Sequence, residues 1–144
     1  MDPVEEMLIE RACERVVALY AEAVNRKDID AFVNLFTPDA VWQRPAVPAM
    51  NGHGEIRAFM ESQPKGRVLR HVNGHAIITV KGPDSASGIS TTTVYDWIAD
   101  HPLPAPLSKP DMVVEYFDQY VKTPEGWRIA RRDTFQVFSQ VVNY

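Results

Sequence analysis

Three side chains from distant parts of the chain are suited to acid–base chemistry. The imidazole of His71 has an ordinary pKa of about 6.5, so it can accept or donate a proton near neutral pH. Tyr20 lies on the apolar stripe of the first predicted helix and can donate a hydrogen bond from its phenol. Arg131 and Arg132 alternate along a predicted strand, so one guanidinium points inward, where it would stabilise an anion or a developing negative charge. These groups predict proton transfer inside a cavity.

Each of these side chains also has a structural interpretation, which the sequence leaves open. His71 can be a hydrogen-bonded strand histidine, Tyr20 a core aromatic with its hydroxyl at the rim, and Arg132 a surface cation on the last strand. Cys13 falls on the same helix stripe as Tyr20 and is expected to be a small core residue.

No metal, phosphate-binding or cofactor site is expected. His53 and His101 fall in loops. His71 and His75 would lie about 13 Å apart on one strand face, which is too far for both to bind one ion. The chain also lacks a glycine-rich phosphate loop and a Gly-x-Ser-x-Gly nucleophile motif. We therefore expect chemistry without a cofactor.

The composition fits one globular domain spanning residues 1–144. The 15 basic and 19 acidic residues give a net charge of −4, which argues against nucleic acid or an anionic membrane as partner. A single cysteine permits no internal disulfide and fits a reducing compartment. Neither a secretory signal nor a membrane-spanning apolar run is visible, so a cytoplasmic protein is expected.

The first part of the chain predicts three helices. Apolar residues recur every three or four positions over residues 4–25, and Asp2 is the expected N-cap. Asp28 is the expected cap of a short second helix that residues 37–39 terminate, and residues 55–62 form the third helix. The predicted inner stripe of the first helix contains Leu8, Ile9, Ala12, Cys13, Val16, Val17, Tyr20, Ala23 and Val24.

The rest of the chain predicts strands, joined in one place by the proline-rich residues 100–110. Helices followed by a strand meander indicate an α+β fold, with a curved mixed or antiparallel sheet packed against three N-terminal helices. A pocket between the helices and the sheet is the expected ligand site. The predicted strands lie near residues 40–42, 68–80, 88–99, 112–122 and 126–138.

Six short segments occur in the order and spacing of one known family. They are Leu19–Asp28, Leu35–Trp42, Gly54–Phe59, Arg70–Asn73, Tyr116–Tyr120 and Gly126–Arg132. Together they resemble SnoaL-like proteins of the nuclear transport factor two-like superfamily, which implies a cone-shaped α+β fold. The resemblance does not imply one activity, because that superfamily includes isomerases, dehydratases, cyclases, epoxide hydrolases, dioxygenase small subunits and non-enzymatic binders.

The subgroup of scytalone dehydratase and hexachlorocyclohexane dehydrochlorinase implies roles for particular residues. Its catalytic base is a histidine at the position of His71, oriented by an aspartate that is Asn25 in this chain. An asparagine can accept an Nδ1–H hydrogen bond and fix the tautomer, but it cannot stabilise an imidazolium by charge. Arg132 matches an arginine that reaches into the pocket, and Trp42 matches a pocket-lining aromatic.

The resemblance also separates this chain from two other groups. Arg44 occupies the position where ketosteroid isomerase-like proteins would carry their catalytic aspartate. The epoxide-hydrolase pattern requires an arginine beside an aspartate on a middle strand, and Asp96 has none beside it in the sequence. The predicted catalytic residues are His71, Asn25, Tyr20 and Arg132, and the predicted substrate contacts are Trp42, Phe59, Tyr95 and Tyr116.

The predicted function is an enzyme of lyase, isomerase or cyclase type, acting on a small, largely apolar organic molecule by cofactor-free acid–base chemistry. The alternative is a non-catalytic small-ligand-binding or assembly module, including a role like that of a dioxygenase small subunit, and Asn25 favours it. A homo-oligomer, either dimer or trimer, is also expected because the terminal segment is too apolar to be left in water. That segment contains Phe135, Val137, Phe138, Val141, Val142 and Tyr144.

Overall fold

A computed structural model describes residues 1–142 of the chain. Three helices, α1 (Pro3–Arg26), α2 (Ile29–Val33) and α3 (Gly52–Glu61), pack against one six-stranded sheet. The strand β1 runs parallel to β6, and the other neighbouring strands are antiparallel, which confirms the predicted α+β fold with a mixed sheet. In the sheet order β2-β1-β6-β5-β4-β3, the strands are β1 (Phe36–Gln43), β2 (Met50–Asn51), β3 (Arg67–Gly82), β4 (Ser85–Ile98), β5 (Met112–Thr123) and β6 (Gly126–Ser139).

The helix α1 begins and ends as its sequence predicts. The Asp2 side chain accepts a hydrogen bond from the Val4 backbone nitrogen at 3.1 Å, and Lys27 ends the helix in the left-handed conformation. Its buried stripe starts at Ile9 and packs on the sheet. The prediction for Leu8 was wrong: this side chain is 66% exposed, because the first two turns of α1 extend past the core.

The strand β1 is longer than predicted and contains residues that were expected to terminate α2. Its register with β6 shifts between Phe36 and Val41, so Pro38, which has no backbone N–H, occupies the irregular section. The two-residue strand β2, which was not predicted, pairs Met50 with Trp42. The predicted cap of α2 is confirmed, because Asp28 accepts a hydrogen bond from the Ala31 nitrogen at 3.1 Å.

A β-bulge in β3 decides which side chains face the helices. Between Asn73 and Ala76, β3 contains one residue more than the paired stretch of β4, so the alternation of faces reverses there. His71 lies before the bulge on the inner face, whereas Ile78 packs on the core beyond it. His75 is therefore exposed on the outer side, and the prediction that it shares a face with His71 was wrong.

The outer face of the sheet carries large apolar side chains that no other part of residues 1–142 covers. They come from four strands, and each is between 43% and 61% exposed: Val72, Ile77, Ile89, Phe117 and Phe135. The terminal residues Val137, Phe138, Val141 and Val142 are also exposed, and Tyr144 lies outside the described residues. Within residues 1–142, no helix is both long enough and apolar enough to cross a membrane.

Candidate active site

A cavity of about 90 Å³ lies between the inner face of the sheet and the helices α1 and α3. That volume is several times the roughly 10–15 Å³ that one water molecule needs. Its walls are mostly aromatic and aliphatic, and they include two arginines and one histidine but no aspartate or glutamate. The lining residues are Tyr20, Val24, Trp42, Arg44, Pro45, Phe59, Met60, Gln63, Arg67, Leu69, His71, Val94, Met112, Val114, Tyr116 and Thr134.

His71 and Asn25 contact each other where the last turn of α1 crosses β3. The Asn25 Oδ1 atom accepts a hydrogen bond from the His71 backbone nitrogen at 2.7 Å and lies 3.2 Å from His71 Nδ1. A backbone N–H can only donate, so the atom that it meets must be the amide oxygen. The same oxygen can only accept, so Nδ1 must carry a hydrogen. Nε2 of the neutral ring is then left without a proton, as a base requires.

The surroundings of His71 favour its neutral form. Burial lowers the pKa of His71 to about 4, and the positive charges of Arg132, Arg67 and Arg44 add to this effect, with Asp96 opposing it. Asn25 is uncharged and offers no compensating negative charge. The imidazole is therefore uncharged at neutral pH.

Two tyrosine rings pack edge to face in the cavity wall. The rings of Tyr20 and Tyr116 have centroids 5.5 Å apart, and both residues are about 4% exposed. Burial raises the pKa of Tyr20, with Arg132 opposing the effect, and raises that of Tyr116 further. Both phenols therefore keep their protons and can act as hydrogen-bond donors to a ligand.

Arg132 points inward but does not reach the cavity, so the prediction that it enters the pocket was wrong. Its guanidinium lies behind the rings of Tyr20 and Tyr116, 4.1 Å and 3.9 Å from their centroids, and the residue is completely buried. Asp118 holds it there through two hydrogen bonds of 2.7 Å, from Nε and Nη2. The second oxygen of Asp118 also accepts a 2.6 Å hydrogen bond from Tyr120. Arg132 can therefore act on the site through the two tyrosine rings, not by touching a ligand.

The buried charge of Arg132 depends on its partner. Burial disfavours the guanidinium cation, but the carboxylate of Asp118 outweighs that effect and raises the pKa of Arg132. Asp118 was not among the predicted site residues. Arg131, the preceding residue, is partly exposed on the other face beside Asp133, as the predicted alternation requires.

Three of the four predicted substrate contacts line the cavity, and one does not. Trp42, Phe59 and Tyr116 are wall residues, with the first two rings 5.4 Å apart at nearly a right angle. Tyr95 was placed wrongly. Alternation along β4 puts it on the other face from Val94, where it lies in a groove with Arg70, Trp97 and the proline-rich loop.

A second ion pair, which is partly buried, lies at the cavity wall. Arg67 Nε is 2.9 Å from both carboxylate oxygens of Asp96, its Nη2 also bonds that group, and its Nη1 bonds Gln63 at 2.8 Å. Asp96 has no arginine beside it along the chain, as the sequence indicated, but Arg67 of β3 lies beside it across the sheet. Both oxygens of Asp96 are engaged by Arg67, so this carboxylate is not a free base.

Arg44 was not among the predicted site residues, yet it lines the cavity. Its guanidinium carbon lies 4.7 Å from the Phe59 ring centroid and 5.8 Å from that of Trp42. As for metal sites, residues 1–142 contain no group of three or more His, Cys, Asp or Glu side chains arranged to hold an ion.

Comparison with known proteins agrees with this architecture. The uncharacterized protein Rv2910c of Mycobacterium tuberculosis is 25% identical over 135 residues, covering 90% of this chain and 86% of that protein. The structure of an NTF2-like protein with a cystatin-like fold from Novosphingobium aromaticivorans superposes with a TM-score of 0.79 at 20% identity, covering 93% of this chain and 85% of that one. A hexachlorocyclohexane dehydrochlorinase of type 2 gives a TM-score of 0.77 at 9% identity, covering 95% and 90% of the two chains.

The structural neighbours also include a scytalone dehydratase-like protein. At these identities, the likeness to enzymes shows a shared fold. The family itself is shown by a sequence match, because the family model of the SnoaL-like domain matches residues 5–133. The chain belongs to the SnoaL-like domain family.

Proposed function

We propose that this protein is a cofactor-free acid–base enzyme that removes a proton from carbon in a small, largely apolar organic molecule. Elimination, isomerisation or ring closure would follow from that step. The observation that carries the proposal is the neutral His71 ring, fixed through Nδ1 by Asn25 and lining an aromatic-walled cavity.

In this mechanism, Nε2 of His71 accepts the proton, and the electron pair of the broken C–H bond stays on the substrate. The pKa of His71, lowered by burial to about 4, makes the ring a weak base until a negative charge lies next to it. Asn25 cannot supply that charge. The substrate itself must supply it, because negative charge develops on the substrate as the imidazolium forms.

The two buried tyrosines supply the electrophilic half of the mechanism. Tyr20 and Tyr116 line the same cavity as His71 and keep their phenolic protons, so they can donate to an oxygen or leaving group that gains charge. Arg132, behind both rings, stabilises negative charge on either phenol without contacting substrate. It therefore acts as a positioning and electrostatic residue.

Exchange of carbon-bound hydrogen tests the proposal without knowledge of the product. The protein is incubated in heavy water with a panel of small cyclic ketones, and deuterium incorporation is followed by mass spectrometry. His71→Gln is expected to slow exchange by about 10²–10⁴ relative to the unaltered protein. His75→Gln, a histidine on the outer face, serves as the matched control. Equal exchange by the protein and its His71→Gln variant would reject His71 as the base.

The second candidate function is a ligand-binding or assembly module, which includes a dioxygenase small-subunit-like role. The observation that favours it is Asn25, since the site lacks the negative charge that would support an imidazolium. An absence of exchange with every compound, together with ligand binding in the cavity, would favour this candidate.

We also propose that the protein is a homo-oligomer, a dimer or trimer, associated through the outer face of the sheet. Large apolar side chains from β3 to β6 stay exposed there in the isolated chain, and burying them removes apolar surface from water. The mass in solution, measured by light scattering, is expected to be a multiple of the 16.3 kDa chain. A strictly monomeric mass would contradict the proposal.

A further inference from the structure

The cavity has an uneven charge distribution that its proposed base does not explain. Arg44 and Arg67 line it, and Arg132 lies behind its wall. Two of these cations are paired with a carboxylate: Arg132 with Asp118 and Arg67 with Asp96. Arg44 has no carboxylate oxygen within 4.0 Å in residues 1–142, and its guanidinium contacts aromatic rings. No lining residue is an aspartate or glutamate, so no carboxylate of the cavity wall pairs with the half-buried Arg44.

Hydrogen bonds hold the backbone of the segment that carries Arg44, and ring packing holds its side chain. The Gln43 side chain donates hydrogen bonds to the carbonyl oxygens of Arg44 at 2.8 Å and Val47 at 2.7 Å, closing a tight loop. Ala46, inside that loop, adopts a left-handed backbone with φ of 59°. Packing of the guanidinium on Phe59 then fixes the side chain as well. A cation that is fixed before binding loses little entropy when it meets an anion.

Two further polar atoms on the cavity wall lack partners. The Nε1 of Trp42 and the Oγ1 of Thr134 are buried and form no hydrogen bond within residues 1–142. Both can donate a hydrogen bond, and a buried donor without a partner is costly unless a ligand or water meets it. Together with Arg44, they make the wall rich in donors and poor in acceptors, which suits a ligand that carries oxygen acceptors.

We propose that the cavity binds a small ring-bearing carboxylate, with its carboxylate group on Arg44 and its ring between the aromatic walls. The proposal rests on the proposed function in assigning the cavity beside His71 as the substrate site. It adds the missing negative charge: a bound anion opposes the positive field of the arginines at His71 and makes that ring a stronger base.

Calorimetric titration with benzoate and with its neutral analogue benzamide tests the proposal. The protein is expected to bind benzoate about 10-fold to 100-fold more tightly than benzamide, the range for a charge-assisted hydrogen bond. Arg44→Gln is expected to remove that preference, and Arg44→Lys to keep part of it. Arg15→Gln, which removes an exposed charge from α1, is the matched control and is expected to keep the full preference.

Equal binding of the two compounds, no binding of benzoate at millimolar concentration, or an unchanged preference in Arg44→Gln would overturn the proposal. If Arg44→Gln does not fold, the pKa of His71, measured by NMR in the unaltered protein, gives the decision. Benzoate is expected to raise that pKa and benzamide to leave it unchanged, and equal effects would also overturn the proposal.

Binding and exchange can fail separately. Tight benzoate binding without any hydrogen exchange would keep the carboxylate site and reject the proposed catalysis. Exchange that depends on His71, without a preference for the carboxylate, would reject the carboxylate site and keep the catalysis.

Discussion

Acidification should destabilise this protein through His71 in a way that one substitution removes. The pKa of His71 is lowered by burial to about 4 in the folded chain, from 6.5 for an unburied imidazole. Between these two pH values the unfolded chain binds a proton at His71 and the folded chain does not, so unfolding becomes easier as the pH falls. The contribution of the neutral His71 ring to the free energy of unfolding is fully present above pH 6.5 and is lost by about pH 4.

The size of this effect follows from the two pKa values. Each pH unit across the interval lowers the free energy of unfolding by about 1.4 kcal/mol for one proton, which gives a total loss of about 3 kcal/mol. Urea unfolding, followed by tryptophan fluorescence at both ends of the interval, measures that loss.

Carboxylates also titrate in this range, so the informative quantity is the difference between the protein and its His71→Gln variant. The variant should lose about 3 kcal/mol less on acidification than the unaltered protein. His75→Gln, at an exposed position of the same strand, should follow the unaltered protein. Equal losses in the protein and in His71→Gln would refute the conclusion that His71 is buried in its neutral form.

Two other substitutions test the charges around the site. Asn25→Asp places a carboxylate where the amide oxygen now lies, 3.2 Å from His71 Nδ1. This change should raise the pKa of His71, measured by NMR, by about 1 to 3. Asn34→Asp, at the exposed end of α2, should leave that pKa unchanged. A gain of hydrogen exchange in Asn25→Asp would identify the site as a dyad that lacks its acid, whereas an unchanged pKa would contradict the observed contact. Asp118→Asn leaves the Arg132 cation buried without a counter-ion and should lower the free energy of unfolding by about 3–5 kcal/mol in urea titrations. Asp133→Asn breaks an exposed pair and should cost at most about 1 kcal/mol; equal costs for the two changes would be inconsistent with the burial of the first pair.

The sequence predicts the three helices and the approximate positions of five of the six strands well, because periodicity and caps are local properties. The Asp2 cap of α1, the Asp28 cap of α2 and the predicted stripe of α1, apart from Leu8, are found in the structure. The inward orientation of one arginine of the pair on β6 was also predictable from strand alternation.

The partner of Arg132 was not predictable in the same way. Counting back from the turn at Thr123 and Gly126 pairs Arg132 with Phe117, but a register shift at Gln119 brings Asp118 opposite Arg132. A bulge leaves no clear signal in one sequence. The prediction for the face of His75 failed for the same reason, because the bulge in β3 could not be foreseen.

The remaining errors concern contacts between segments far apart in the chain. Arg67 and Asp96 are 29 residues apart and meet only because β3 and β4 pair in one particular register. Tyr95 could not be assigned to a face until the position of Val94 was known. Arg44 was interpreted from its place in a motif, whereas its contact with Phe59 depends on how α3 packs on β1.

The tautomer of His71 tests the central claim most directly. Nitrogen-15 NMR of the imidazole at neutral pH distinguishes a nitrogen that carries hydrogen from one that does not. The geometry predicts a neutral ring with hydrogen on Nδ1, donated to Asn25, and a bare Nε2. A ring with hydrogen on Nε2, or on both nitrogens, would contradict the assignment of His71 as the base.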